Sequence, residues 1–118
     1  MGPPRTSPRH SRRPVKERCA SIERYRDLVV ANREFLLDVA QAETGKARAA
    51  AQEDLVDIML NSRYYAREAV RLLAPKRVQG AFPGVVKTVV NRHPKGVIGV
   101  ISPWNYPMTL SISDSIPA

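Results

Sequence analysis

Cysteine is nearly absent: Cys19 is the single one in 118 residues, so no internal disulfide can form. That scarcity is compatible with a reducing cytosol and a cytoplasmic address. Long hydrophobic runs are missing too. The run Val97-Ile-Gly-Val-Ile101 falls far short of the roughly 18 to 20 apolar residues that a membrane span needs, so no spanning helix is expected. Histidine is limited to His10 and His93. Neither has neighbours in a pattern that suggests a metal site or a catalytic triad, and no metal is expected. Gly96 and Gly99 do not compose the G-x-G-x-x-G dinucleotide fingerprint.

Basic charge is present, but unevenly. The formal net charge is +8. Residues 1–18 hold six basic residues and one acid, a net of +5, whereas residues 19–118 hold thirteen basic and ten acidic residues, a net of +3. The body is therefore only mildly basic. The leader has no interleaved aromatics, which argues against nucleic acid as a partner.

Residues 1–14 contain four of the ten prolines and almost nothing apolar. Such a segment cannot bury enough surface to offset its ordering entropy, so a disordered basic leader is expected. A secretory signal is excluded by the missing apolar core. A mitochondrial transit helix is opposed by Pro3, Pro4, Pro8 and Pro14. Met1-Gly2 through Thr6 matches the myristoylation pattern in form only, with prolines directly after Gly2.

From about Val15 to Glu43 the pattern is helical. Ile22, Tyr25, Val29, Leu36 and Val39-Ala40 lay an apolar stripe on one face. Thr44-Gly45 is a stop, since glycine tolerates the left-handed C-terminal conformation. A second helix is expected from about Lys46 to Ala74, with Leu55, Ile58, Met59, Ser62, Tyr65, Ala66, Ala69 and Leu73 on its buried face and Pro75 ending it. The two form an antiparallel hairpin. Tyr25, Met59, Tyr64 and Tyr65 are read as core packing.

After Pro75 the period changes. Gly84 to His93 is β-branched and strand-like. Pro94-Lys95-Gly96 signals a turn. Val97–Ile101 reads as a strand buried on both faces of a parallel sheet. Ser102 to Tyr106 is a loop, and Pro107 suits the first turn of a helix holding Met108, Leu110, Ile112 and Ile116. A buried strand leading into a helix is the first half of a βαβ unit whose second strand is missing, so the chain looks interrupted.

The segment Pro94-Lys-Gly-Val-Ile-Gly-Val-Ile-Ser-Pro-Trp-Asn-Tyr-Pro107 closely resembles the aldehyde dehydrogenase signature, in which a buried strand ends in Pro-Trp-Asn-Phe/Tyr-Pro. Glu43-Thr-Gly-Lys46 is similar to the family's Glu-x-Gly-Lys, and Arg63-Tyr-Tyr-Ala66 resembles its second helix. The resemblance covers residues 15–118. From Ser102 to Ala118 it is nearest the succinate-semialdehyde dehydrogenases. It implies an α/β fold: an N-terminal helical hairpin, then strands that begin the dinucleotide-binding domain, incomplete within these residues.

In that family a cysteine thiolate attacks the aldehyde carbonyl, hydride passes to NAD or NADP, and water hydrolyses the thioester. By resemblance, the Asn105 amide donates a hydrogen bond to the tetrahedral oxyanion. An amide suits this because it donates without a charge that pH could remove. Ile101, Ser102, Pro103, Trp104 and Asn105 would line the cofactor cleft, at the carboxyl end of a buried strand. The residue types also allow plainer roles: Asn105 as a helix cap and Trp104 as packing. Cys19 lies far upstream of the motif and is not the expected nucleophile; it reads as a structural thiol. The nucleophilic cysteine, the general-base glutamate and the phosphate contacts are expected beyond Ala118.

The implied activity is oxidation of a small aldehyde, succinate semialdehyde to succinate, by a family that homo-oligomerises. The 118 residues alone are expected to be inactive. A second reading is a non-catalytic interaction module that binds a full-length dehydrogenase through the Gly84–His93 edge. A third is a gene fragment or a shifted reading frame.

Overall fold

The computed structural model describes residues 13–82 and 84–118. Most of the basic leader therefore lies outside the described residues. Helix α1 (Val15–Ala31) begins directly after Pro14. Helix α2 (Arg33–Thr44) follows, and α3 (Arg48–Leu73) is the longest element at 26 residues. Strands β1 (Lys76–Val78) and β2 (Thr88–Val90) come next, and α4 (Pro107–Ser115) closes the described chain.

The expected single helix over 15–43 is in fact two. Asn32 breaks it at φ −105° and ψ 18°. Its side-chain amide and its backbone N–H both donate to the Leu28 carbonyl, at 2.8 and 3.0 Å. Asparagine competes in this way for carbonyls that a regular helix would use. The apolar stripe continues through the joint, with Val29 before it and Leu37 and Ala40 after it, all buried.

Gly45 ends α2 at φ 70°, the left-handed region, and its N–H donates to the Gln41 carbonyl at 2.9 Å. A side chain would be strained there. Thr44 completes the turn: its hydroxyl donates to the Ala40 carbonyl and accepts from the Lys46 N–H. At the other end of α3, Ala74 is extended (ψ 145°), as the residue before Pro75 must be.

The core lies between these helices. Ala51, Leu55 and Ile58 of α3 meet Val29, Leu37 and Ala40 across the hairpin. Spacings of three and four put the α3 residues on one face, and burying each large aliphatic side chain contributes about 1.5 to 3 kcal/mol. Tyr25 packs against this cluster, and its burial raises its phenol pKa. Tyr64 does not pack as expected: it is 51% exposed, with its ring edge-to-face with Tyr65 at 5.1 Å between centroids. Its phase on α3 points it outward, two positions away from each of buried Ser62 and Ala66.

Beyond α3 the chain is thin. The strand expected over 84–93 shrinks to Thr88–Val90. It pairs antiparallel with β1, a strand the sequence did not announce, in the register Lys76↔Val90, Arg77↔Val89 and Val78↔Thr88. The buried strand expected at Val97–Ile101 is not formed: the segment is irregular and mostly exposed. A strand needs at least one hydrogen-bonded neighbour, and among the described residues none lies beside this segment. The expected terminal helix is present, with Pro107 in its first turn.

Candidate active site

The five residues singled out as cofactor-facing form one continuous surface segment. Ile101 is 99% exposed, Trp104 is 67% exposed, and Pro103 and Asn105 also face solvent, while Ser102 is half-buried. Trp104 and Asn105 form the turn that leads into α4. Tyr106, not Asn105, occupies the N-cap position of that helix, and the cap makes no side-chain hydrogen bond. The capping role open to Asn105 is therefore not the one it takes. Among the described residues its amide has no hydrogen-bond partner.

The helical layer holds this loop from one side. Met108 and Ile112 of α4 pack against the core cluster. The Thr109 hydroxyl donates to the Asp54 backbone carbonyl at 3.2 Å, a contact spanning 55 residues. Lys46 contributes a further link. Its Nζ donates to Asp54 Oδ1 at 3.0 Å and lies 3.9 Å from the centroid of the Tyr106 ring. Asp54 is 1% exposed. A carboxylate so deep must be paired, and removing the partner of a buried pair costs roughly 3 to 5 kcal/mol. Tyr106 is 43% exposed, so the cation over its ring adds about 0.5 to 1 kcal/mol.

The structure thus joins two motifs that are separate in the sequence. The Thr44-Gly45-Lys46 turn aims a lysine at the Trp104-Asn105-Tyr106 turn, and Asp54 is the buried hinge between them. Asp54 was missed by sequence reasoning, although its position gave a signal. It falls between Ala51 and Ile58 on the apolar phase of α3, where an acid requires a partner.

Other features stand apart from this loop. An open cavity of about 390 Å³ sits inside the β1–β2 hairpin beside Arg77, Gly80 and Lys87. On the outer face, Arg48 binds Glu34 at 2.5 Å, Asp38 at 2.6 Å and Gln41 at 2.8 Å. Arg48, and after it Arg33, hold the Glu34 carboxyl below its ordinary pKa. Cys19 is buried in α1. Among the described residues no group of three His, Cys, Asp or Glu could hold a metal ion. Nor is any described helix long and apolar enough to cross a membrane.

Comparison with known proteins gives a consistent answer. The sequence matches the family described as "Aldehyde dehydrogenase family" over residues 5–118. It is 80% identical over 106 residues to a Mycolicibacterium smegmatis protein named provisionally as a succinate-semialdehyde dehydrogenase [NADP(+)], covering 90% of this chain and 20% of that relative. A Mycobacterium tuberculosis protein with a similar provisional name is 63% identical over 108 residues, covering 92% of this chain and 21% of its own. The succinate semialdehyde dehydrogenase of Acinetobacter baylyi is 29% identical over 104 residues, covering 88% and 21%. The chain spans about a fifth of the length of the curated relatives it matches. No solved structure matches it.

Proposed function

The chain belongs to the aldehyde dehydrogenase family, and on that premise we propose that residues 101–105 are part of a site where an aldehyde is oxidised to its acid with NAD(P). The names of the relatives favour succinate semialdehyde as substrate and NADP as acceptor. The observation that carries the reading is the Asn105 amide: solvent-facing, unpartnered among the described residues, and one position before the cap of a proline-started helix.

The role assigned to Asn105 is electrostatic. As a nucleophile adds to the aldehyde carbonyl, the carbonyl oxygen gains negative charge. An amide N–H already aimed there needs no reorganisation, and such a donor contributes roughly 3 kcal/mol to lowering the barrier. The nicotinamide cofactor, when bound, supplies the hydride acceptor. The exposed segment fits a dinucleotide edge in type. Ile101 and Trp104 offer apolar and aromatic surface, and the backbone of 101–103 is not engaged in a strand ladder. Ile101, Ser102, Pro103 and Trp104 would contact the cofactor, with Asn105 between it and the carbonyl.

Cys19 is buried in α1 and is not assigned as the nucleophile. The 118-residue polypeptide alone is therefore expected to give no NADPH from succinate semialdehyde above a no-protein control.

The decisive test is a chimera in which residues 13–118 replace the matching segment of the Mycolicibacterium smegmatis relative. The chimera should turn over succinate semialdehyde with NADP. Asn105→Ala in it should lower kcat about 10²- to 10³-fold and leave KM for NADP nearly unchanged. An unchanged kcat would remove Asn105 from the site.

A further inference from the structure

Tyr106 follows Asn105 directly and caps α4, so whatever fixes its ring also fixes the peptide that carries the candidate oxyanion donor. A cation lies against that ring, which is itself 43% exposed. Lys46 Nζ lies 3.9 Å from its centroid while donating to Asp54 Oδ1 at 3.0 Å. The lysine side chain is itself largely covered, and its own backbone N–H is tied into the Thr44–Gly45 turn. Its ammonium therefore has little freedom to wander.

This pairing is a poor device for stability alone. Asp54 is almost fully buried, yet its second carboxylate oxygen has no partner among the described residues. An apolar side chain at that phase of α3 would serve the core as well or better, since desolvating a carboxylate offsets much of what its pairing returns. What an ion pair adds and an aliphatic contact does not is direction. Asp54 is also where α4 docks, because its carbonyl accepts from Thr109 three residues past Tyr106. On the other side of the loop, residues 91–101 are irregular and mostly exposed, and their one side-chain hydrogen bond among the described residues, from Arg92 to the Ala74 carbonyl, lies far from the turn in sequence.

We propose that Lys46 is a positioning residue. Held by Asp54, it clamps the Tyr106 ring and so sets the orientation of the Trp104–Asn105 turn and of the Asn105 amide. The inference rests on the reading of Asn105 given above. Its test uses no turnover, so the two can fail separately.

The backbone N–H groups of Trp104 and Asn105, which form the turn, each give an assignable nitrogen signal in the 118-residue chain. Order parameters from ¹⁵N relaxation are measured in the wild type and in Tyr106→Leu, Lys46→Met and Lys46→Arg. Tyr106→Leu removes the ring but leaves the Lys46–Asp54 pair, so the helical circular dichroism should be unchanged. Its Trp104 and Asn105 order parameters should fall from the rigid range to below about 0.6. Lys46→Met should loosen the same two groups, and Lys46→Arg, which keeps the cation, should restore them. Should Lys46→Met fail to fold, Tyr106→Leu decides. Order parameters at Trp104 and Asn105 that match the wild type in a folded Tyr106→Leu chain would overturn the proposal. So would loosening in Lys46→Arg equal to that in a folded Lys46→Met.

Discussion

Residues 15–73 and residues 76–118 are built on opposite terms. Every buried apolar side chain among the described residues falls between Cys19 and Ala66. From Lys76 onward none is buried, and Phe82, Val85, Val97, Ile98 and Ile101 stand largely in solvent. The helical part carries its own core. The later part carries the candidate chemistry and leans on that core through α4 and the Lys46–Tyr106 contact. Recognition groups on loops, placed by a rigid scaffold, are a common arrangement. In this chain the scaffold is the helical hairpin, and its hold on the loop runs through Asp54.

If that contrast is right, the largest effect belongs to Leu55→Ala. It empties the centre of the core and should cost about 3 kcal/mol, read as a lower urea midpoint at 222 nm. A loss below about 1 kcal/mol would mean that the helical part is not the stable half. A smaller effect sits on the outer surface of that half. Arg48 holds the Glu34 carboxyl below its ordinary pKa of 4.5, so the pair stabilises the fold above that value. The contribution is lost as pH falls through the lowered, folded-state pKa. Glu34→Gln should therefore lower the thermal midpoint slightly at pH 7. The difference should vanish at pH 2 and shrink in high salt. A difference that persists at pH 2 would exclude the ion pair as its source. The smallest effect is expected at Ile101. Its side chain touches almost nothing, so Ile101→Ser should move stability by no more than about 0.5 kcal/mol. A larger change would show that the later part has packing of its own.

Legibility in the sequence follows the range of the forces involved. Gly45, Pro75 and Pro107 announced their boundaries because each acts on its own backbone. The α3 face was readable because a long helix repeats its phase many times. The joint at Asn32 was not, since the apolar stripe runs across it and only the asparagine's hydrogen bond betrays it. Lys76–Val78 is too short and too charged to announce a strand. Val97–Ile101 announces one that needs partners to exist. At the candidate site, the residues themselves were readable from a dense local motif. The contact from Lys46 to Tyr106 was not, because 60 positions separate the two and no local pattern encodes the approach.

The bare ribbon at Val97-Ile-Gly-Val-Ile101 has a practical consequence for handling the molecule. It is a short, uncharged, β-prone window exposed to water, the composition that seeds ordered aggregation between copies. Lys95, two positions upstream, is the nearest charge able to discourage such stacking. A charge placed within this window, as in Val97→Lys, is expected to slow any loss from solution at high concentration without touching the helical core.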